Sequence, residues 1–431
     1  MRDRLEGRGR GAKPAKVSAQ DAAATVRSGD TVVLGSGPAE PHDVVQALCA
    51  RASDLRDVTI LSGILLNGYP FLDYPAEVFR FRSWYMPSTS TGLDLDPQRV
   101  ECLPFSWSQL DTYLRSIPID VVILQVAGPS AEGNYSTGTS ISYLCAAMAS
   151  ASRVIAVVNP HVPYTFGDSE FPSESFDMLV EGDSPLPEFS ARPADARDRV
   201  LARHVAETVD DGSLIQVGVG TLPEAVLSEL ARMGRRNLRQ FSFLTDAYLE
   251  LVDAGAMVGD GPSAIVGEIA GSRALYRHAD RNPAIQMVGA RGTHAIGSLL
   301  GQEKLCVLGA ALEVDLFGQA NLEVLGGAQL GGAGGAIDFQ TAAAASATAT
   351  SVVMLRAATS SGRSRIVPIL DSGPVSLSRT IVGRVATEHG IADLTNLSVR
   401  ERATALSELA SPEDRPGLHN YIEEHRDVFC G

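Results

Sequence analysis

Residues 29–48, GDTVVLGSGPAEPHDVVQAL, and residues 212–230, GSLIQVGVGTLPEAVLSEL, follow one plan. Each opens on a polar-Gly turn and runs through a short apolar strand into G-x-G. A Pro-containing loop then leads into an amphipathic helix with acidic residues near its start. A G-x-G between strand and helix turns the chain tightly and presents the helix N-terminus to whatever binds above the strand. The two segments lie about 180 residues apart, which predicts two related α/β halves rather than a short-period solenoid.

Other segments extend the pattern. VTILSG (58–63), DVVILQV (120–126), RVIAVVN (153–159), KLCVLGA (304–310) and SVVMLR (351–356) are continuous, β-branched runs separated by helical stretches. Such runs are buried on both faces, so they predict largely parallel sheets covered by helices. A chain of 431 residues exceeds one ordinary core. The expected division is a flexible basic tail at 1–18, an N-terminal α/β domain at 19–190 and a C-terminal one at 200–431. The Pro- and acid-rich stretch EGDSPLPEFSARPADARDR, 181–199, reads as the linker.

Charge and cysteine usage exclude several classes of function. A net charge of −15 disfavours sequence-independent binding to nucleic acid or to an anionic membrane. No run of about 18 apolar residues is present to span a bilayer. The basic start, MRDRLEGRGRGAKPAK, has no apolar region behind it and does not read as a secretory signal. Cys49, Cys102, Cys145, Cys306 and Cys430 lack C-x-x-C spacing, and the eight histidines lack H-x-x-x-H. Free thiols in a reducing cytoplasm are expected, and no metal site.

Three segments could carry chemistry. G-V-G-T-L-P at 218–223 closes a strand and opens a helix, which suits a phosphate or carbonyl oxygen. It lacks the third Gly of a dinucleotide fingerprint and the G-K-[ST] of a P-loop. GGAQLGGAGGAIDF at 326–339 is either a mobile loop or a backbone cover that points N–H groups at an oxyanion. In FSFLTDAYLELVDAG, 241–255, Thr245-Asp246 predicts a helix N-cap. Ser242, just before it, is either a satisfied hydroxyl or a reacting group.

Together these segments resemble the acetyl-CoA hydrolase/CoA-transferase family, of the class I type with both halves fused, whose relatives include the 4-hydroxybutyrate and butyrate CoA-transferases. The resemblance runs from about Asp21 to Glu424. It rests on ordered motifs: GPSAEGNYSTGTS (128–140), VIAVVNPHVPYTFGDS (154–169), VGVGTLPEAVLSEL (217–230), GSRALYRHADRNP (271–283) and, most specific, ALEVDLFGQANLEVLGGAQLGGAGGAIDF (311–339). It implies two open α/β domains related by duplication, with the active site between them. It also implies a Glu nucleophile that forms an acyl-glutamyl anhydride and then a glutamyl-CoA thioester. Gly218, Val219, Gly220, Thr221 and Leu222 would face CoA and supply one oxyanion donor. Gly331, Gly332, Gly334 and Gly335 would supply the other and cover the thioester.

The chain departs from that pattern where the chemistry is concentrated. The family segment reads G-I-H-[ST]-E-M-x-S-D-G before a helix ending L-V-E-x-G. Aligned without a gap on LVDAG, its Glu falls on Ser242 and its Met on Phe243. Asp246 and Glu250 belong to the following turn and helix. Thr221 stands where a second Gly is usual, Gly309 where an Asn is frequent, and Thr350 where Lys or Arg is frequent. Three polar or charged groups missing from one cleft would imply altered chemistry.

A serine hydroxyl needs a general base, and its ester cannot pass CoA between carboxylates through an enzyme-bound thioester. Ordinary CoA-transferase activity is therefore expected to be absent or weak. One expectation is acyl transfer or hydrolysis from a CoA thioester through Ser242, with His161, His294 or His389 as the base. Others are enolate chemistry such as decarboxylation, hydration or condensation, residual CoA-transferase activity, or an acyl-CoA-binding pseudoenzyme. Coenzyme A enters as a thioester substrate rather than a resident cofactor. A cytoplasmic homodimer is expected from the family, and the Ala/Arg-rich composition suggests a high-GC bacterium and secondary metabolism. Trp84, Tyr85, Trp107 and Tyr143 are expected to pack at domain surfaces, and Glu313 and Asp315 to orient loops.

Overall fold

Parallel strands, buried on both faces, organise the chain. The computed structural model describes residues 13–86, 99–371 and 373–429. Packing divides these into two units. One runs through Ser190 and also takes Ala264–Thr293; the other comprises Ala191–Ser263 and the chain from His294 onward.

The first unit holds β1 (Ala15–Val17), β2 (Thr31–Leu34), β3 (Val58–Ser62), β4 (Phe79–Ser83), β5 (Val100–Cys102), β6 (Ile119–Val126), β7 (Ala151–Val158) and β8 (Met178–Glu181). They form an eight-stranded sheet in the order β1-β8-β7-β6-β2-β3-β4-β5. Every pair is parallel, with Val32 level with Ile60 and with Val121. Leu34, Ile60, Phe81, Ile123 and Ile155 fill the core of this unit. The Ala264–Ile269 strand carries backbone bonds to this unit: Ile141 N–H donates to Gly267 O at 2.9 Å and Ile269 N–H to Thr139 O at 2.8 Å.

The second unit holds β9 (Leu214–Val217), β10 (Arg239–Leu244), β11 (Leu305–Ala310), β12 (Thr350–Met354), β13 (Arg384–Thr387) and β14 (Gly390–Asp393). Their order is β14-β13-β12-β11-β9-β10, parallel except for the β13–β14 hairpin. Helices α1 (Ala196–Glu207), α2 (Thr221–Arg232), α3 (Ala247–Asp253) and α4 (Ala336–Ala344) complete what the site needs. Val226, Leu227 and Leu230 of α2 are buried among Ile215, Val217, Leu251 and Leu308. In both units the G-x-G strand, β2 or β9, has the next strand on one side and a later-returning strand on the other. That shared order is what the two similar sequence segments predict.

Three expectations change. The division is not into contiguous ranges, since Ala264–Thr293 leaves the second half of the sequence to pack with the first unit. The expected tail at 1–18 is ordered at its end, where Ala15–Val17 pairs with Met178–Val180; residues 1–12 lie outside the described residues. The 181–199 stretch ends in helix, because Asp195 caps α1. No helix among the described residues is long and apolar enough to cross a membrane. Among them Cys49, Cys145 and Cys306 are free, and Cys430 lies outside them.

Candidate functional site

Open parallel sheets bind ligands beyond the carboxyl ends of their strands, beside the point where strand order reverses. In the second unit that point is β9, flanked by β10 and β11. Gln216 is level with Phe241 on one side, and Val217 with Leu308 on the other. Continuing that register places Ser242 beside Val217, at the level where the Gly218–Leu222 loop leaves the sheet.

Ser242 is 8% exposed and has a φ of +77°. Among the described residues it is the one non-glycine inside a strand in the left-handed region. An L-residue held there costs about 1–3 kcal/mol, a strain that clusters at functional sites. Gln240 braces the turn of the chain, donating from Nε2 to Phe243 O at 3.3 Å. The Thr245-Asp246 signal does not produce a side-chain cap. Asp246 precedes α3 with helical backbone (φ −59°, ψ −26°), whereas a capping side chain needs an extended one.

The loop at Gly218, Val219, Gly220, Thr221 and Leu222 is half-buried. Gly220, at φ +127° and ψ −178°, precedes α2 and has no side chain to cap it. The N–H groups of Thr221 and Leu222 begin the helix without intrahelical acceptors, and Pro223 has no N–H. Thr221 Oγ1 donates to Arg192 O at 2.9 Å, which holds the loop in place.

The Gly-rich loop is less open than expected. Leu330 and Gly331 N–H both donate to Glu323 O, at 2.7 and 3.2 Å, so the Gly331 N–H is already taken. Gly332, Gly334 and Gly335 are half-buried, with Gly334 at φ +54°. Gly335 lies against the His294 ring: a Cβ there would meet Nε2 and Cδ2 at 2.6 Å.

The three candidate bases separate. His294 packs on Phe339 with the rings tilted by 52° and 4.7 Å between centroids, and Phe339 meets Phe241, next to Ser242, at 6.2 Å. Burial pushes the His294 imidazole down to about 3, so it stays neutral and accepts a proton poorly. His389 follows β13, four strand spacings or about 19 Å across the sheet from β10. His161 lies in the first unit, with Nε2 at 3.2 Å from Asp183 Oδ1.

Two residues given no role in the sequence analysis stand in this region. Glu224, in the first turn of α2, is half-buried. Its carboxyl is pushed up to about 7, by burial first and then by Asp246 and Glu250, with Thr245 opposing. Gln340 of α4 is 1% exposed, and both its amide atoms lack a partner. Its Nε2 lies 3.7 Å from where a Cβ on Gly309 would sit. The amide expected from an Asn at 309 thus has a counterpart arriving from α4. Thr350 does not belong to this edge. It pairs with Cys306 toward the other end of β11 and lies three strand spacings, about 14 Å, from β10.

The remaining residues hold structure. Asp315 accepts from the Phe317 and Gln319 backbones at 3.0 and 2.9 Å, and Glu313 accepts from Arg363 at 2.7 Å. Trp84 and Tyr143 are buried inside the first unit rather than at a domain surface. Tyr85 and Trp107 are half-buried.

Comparison with known proteins agrees with this architecture. Residues 8–187 match the acetyl-CoA hydrolase/transferase N-terminal domain, and residues 271–422 match the C-terminal domain. The chain is 28% identical over 419 residues to 4-hydroxybutyrate coenzyme A transferase of Clostridium kluyveri, covering 95% of this chain and 97% of that one. It is 29% identical to butyryl-CoA:acetate CoA-transferase of Anaerostipes caccae, covering 93% and 94%. RipA from Yersinia pestis shares its fold, with a TM-score of 0.86 at 24% identity over 99% of both chains.

Proposed function

Because this chain belongs to the acetyl-CoA hydrolase/transferase family, we propose that it takes an acyl group from a CoA thioester and passes it to water or another nucleophile, without exchanging CoA between carboxylates. One observation carries this reading. The left-handed strand position beside the Gly218–Leu222 loop holds a serine, where the resemblance places a carboxylate nucleophile. In this reading the acyl-CoA carbonyl lies at the carboxyl edge of the second-unit sheet. Thr221 and Leu222 N–H, with the Gln340 amide, stabilise its oxyanion.

Ser242 Oγ attacks the thioester carbon, and its proton passes to the Glu224 carboxylate. Collapse of the tetrahedral intermediate breaks the C–S bond, and the departing thiolate takes that proton. Water or an acceptor then cleaves the seryl ester by the same exchange. Glu224 suits this role because its carboxyl titrates near neutrality, where a general base is most effective. The neutral, buried His294 instead supports the loop at Gly335. CoA thiolate attacking a seryl ester can only regenerate acyl-CoA, so no enzyme-bound CoA thioester accumulates.

Intact-protein mass spectrometry after mixing with an acyl-CoA should show an acyl adduct that is lost in Ser242→Ala. Thiol release should proceed with little CoA exchange into acetate, and Ser242→Glu should raise that exchange. Normal CoA-exchange turnover by the unmodified chain would sink the reading.

A further inference from the structure

A cation in the second unit, Arg365, takes no part in the proposed chemistry. Beyond the carboxyl end of β12 the chain passes Leu355 and Arg356 into a short hairpin, in which Thr359 N–H donates to Arg363 O at 2.8 Å. Arg365 closes the return. Its N–H donates to Ala357 O at 2.8 Å, and its O accepts from Val314 N–H at 2.9 Å. Ile366–Val367 then pairs with Glu313–Asp315, the segment that follows β11. Arg365 therefore stands beyond the carboxyl edge of the second-unit sheet, the side on which open parallel sheets take their ligands.

The Arg365 guanidinium is half-buried and forms no hydrogen bond or ion pair among the described residues. Its Nε is shut off from solvent, while the Nη groups are not, so the open end of a planar fork faces outward. Nearby carboxylates are engaged elsewhere. Glu313 accepts from Arg363 at 2.7 Å, and Glu388 accepts from Ala357 N–H at 2.8 Å. Arg356, the neighbouring cation, is itself held by Asp195 and Asp198. Burial, and then repulsion from Arg356, push the Arg365 guanidinium below its ordinary value, against the pull of Glu313 and Glu388. A desolvated cation without a partner weakens the fold, and an anion arriving from outside removes that cost.

Position and charge narrow the choice of anion. β12 lies two strand spacings, about 10 Å, from β9 and three, about 14 Å, from β10. A group held at Arg365 is thus well removed from a thioester carbonyl beside Ser242 and belongs to a distant part of the same ligand. The pantetheine arm of CoA is long enough to span that gap, and the phosphates stand at its far end. A chain of net charge −15 repels such a polyanion unless a local cation receives it. The guanidinium fork matches phosphate oxygens in a way that a single ammonium does not.

We propose that Arg365 binds a phosphate at the nucleotide end of the CoA thioester. The proposal rests on the CoA-thioester reading and adds to it the residue that receives the charged end of the substrate. Titration of the full-length protein with CoA and with pantetheine, which lacks the phosphates, tests it. CoA should bind the unmodified chain more tightly than pantetheine. Arg365→Met should weaken CoA binding about tenfold, the worth of a charge-assisted hydrogen bond, and leave pantetheine within about twofold. Arg365→Lys keeps the charge without the fork and should recover part of the loss. Without ligand, Arg365→Met should melt at a higher temperature than the unmodified chain, because the uncompensated charge is gone, so its loss of CoA does not come from unfolding. Unchanged CoA affinity in Arg365→Met, or an equal loss for CoA and pantetheine, overturns the site while leaving the CoA reading standing. Binding of neither ligand to the unmodified chain overturns both.

Discussion

Ser242 sits in a backbone conformation that a glycine would adopt without strain, so a side chain is being kept there at a cost. Ser242→Gly should raise the melting temperature, because relief of the strain outweighs the entropy glycine loses on folding. Thiol release should fall in the same variant. Glu224 offers a separate test. A carboxyl base is active when ionised, so kcat/KM should rise with pH through about 7. Glu224→Gln should lose that limb and about 10²–10⁴-fold of the rate. Ser242 and the Gly218–Leu222 loop could be read from the sequence because they adjoin a strand-loop-helix signature. The roles of Glu224, although it lies in that signature, and of Gln340 could not. Glu224 matters through burial and its neighbours on α3, and Gln340 through its approach to Gly309 from a distant helix, neither of which leaves a local pattern.

At the scale of the element, the start of α1 shows how composition misled. The acids in PADARD look like part of a linker, yet Asp195 and Asp198 form a capping box. Arg356, just past β12, donates to Asp198 at both oxygens and to Asp195, each at 2.7 Å, while Arg192 reaches Asp198 at 2.9 Å. Burial is the largest single influence on Asp198 and opposes its ionisation, but the Arg356 hydrogen bonds and charge, the Asp195 N–H and Arg192 together outweigh it and hold the carboxyl below its usual value. This contribution is present above the unfolded carboxyl value of 3.8 and is lost as pH falls below it. Arg356→Met leaves a buried carboxylate short of its partner and should cost about 3–5 kcal/mol in chemical denaturation at pH 7. The central strands were easier to read, since continuous β-branched runs have few alternatives to a doubly covered parallel sheet.

Across the whole molecule, Glu268 makes stability depend on pH in the opposite sense. Its folded carboxyl titrates near 8, against 4.5 when unfolded, so the folded state binds the extra proton in between. Stability should decline as pH rises from about 4.5 to 8 and level off above. Glu268→Gln should match the unmodified chain at pH 4 and melt progressively higher than it toward pH 9. The excursion of Ala264–Thr293 has a further consequence, for how such a chain can be divided. The backbone passes between the units three times, at residues 190, 263 and 293, so a single cut at the Pro-rich stretch does not yield two self-sufficient pieces. Residues 1–190 made alone would lack the segment that accepts from Ile141 N–H and donates to Thr139 O, and should be recovered as aggregate; co-expression with residues 191–431 should restore solubility. Two pieces that are each soluble when made alone require first moving those thirty codons, and a permuted gene that carries them beside residue 190 is the one to build.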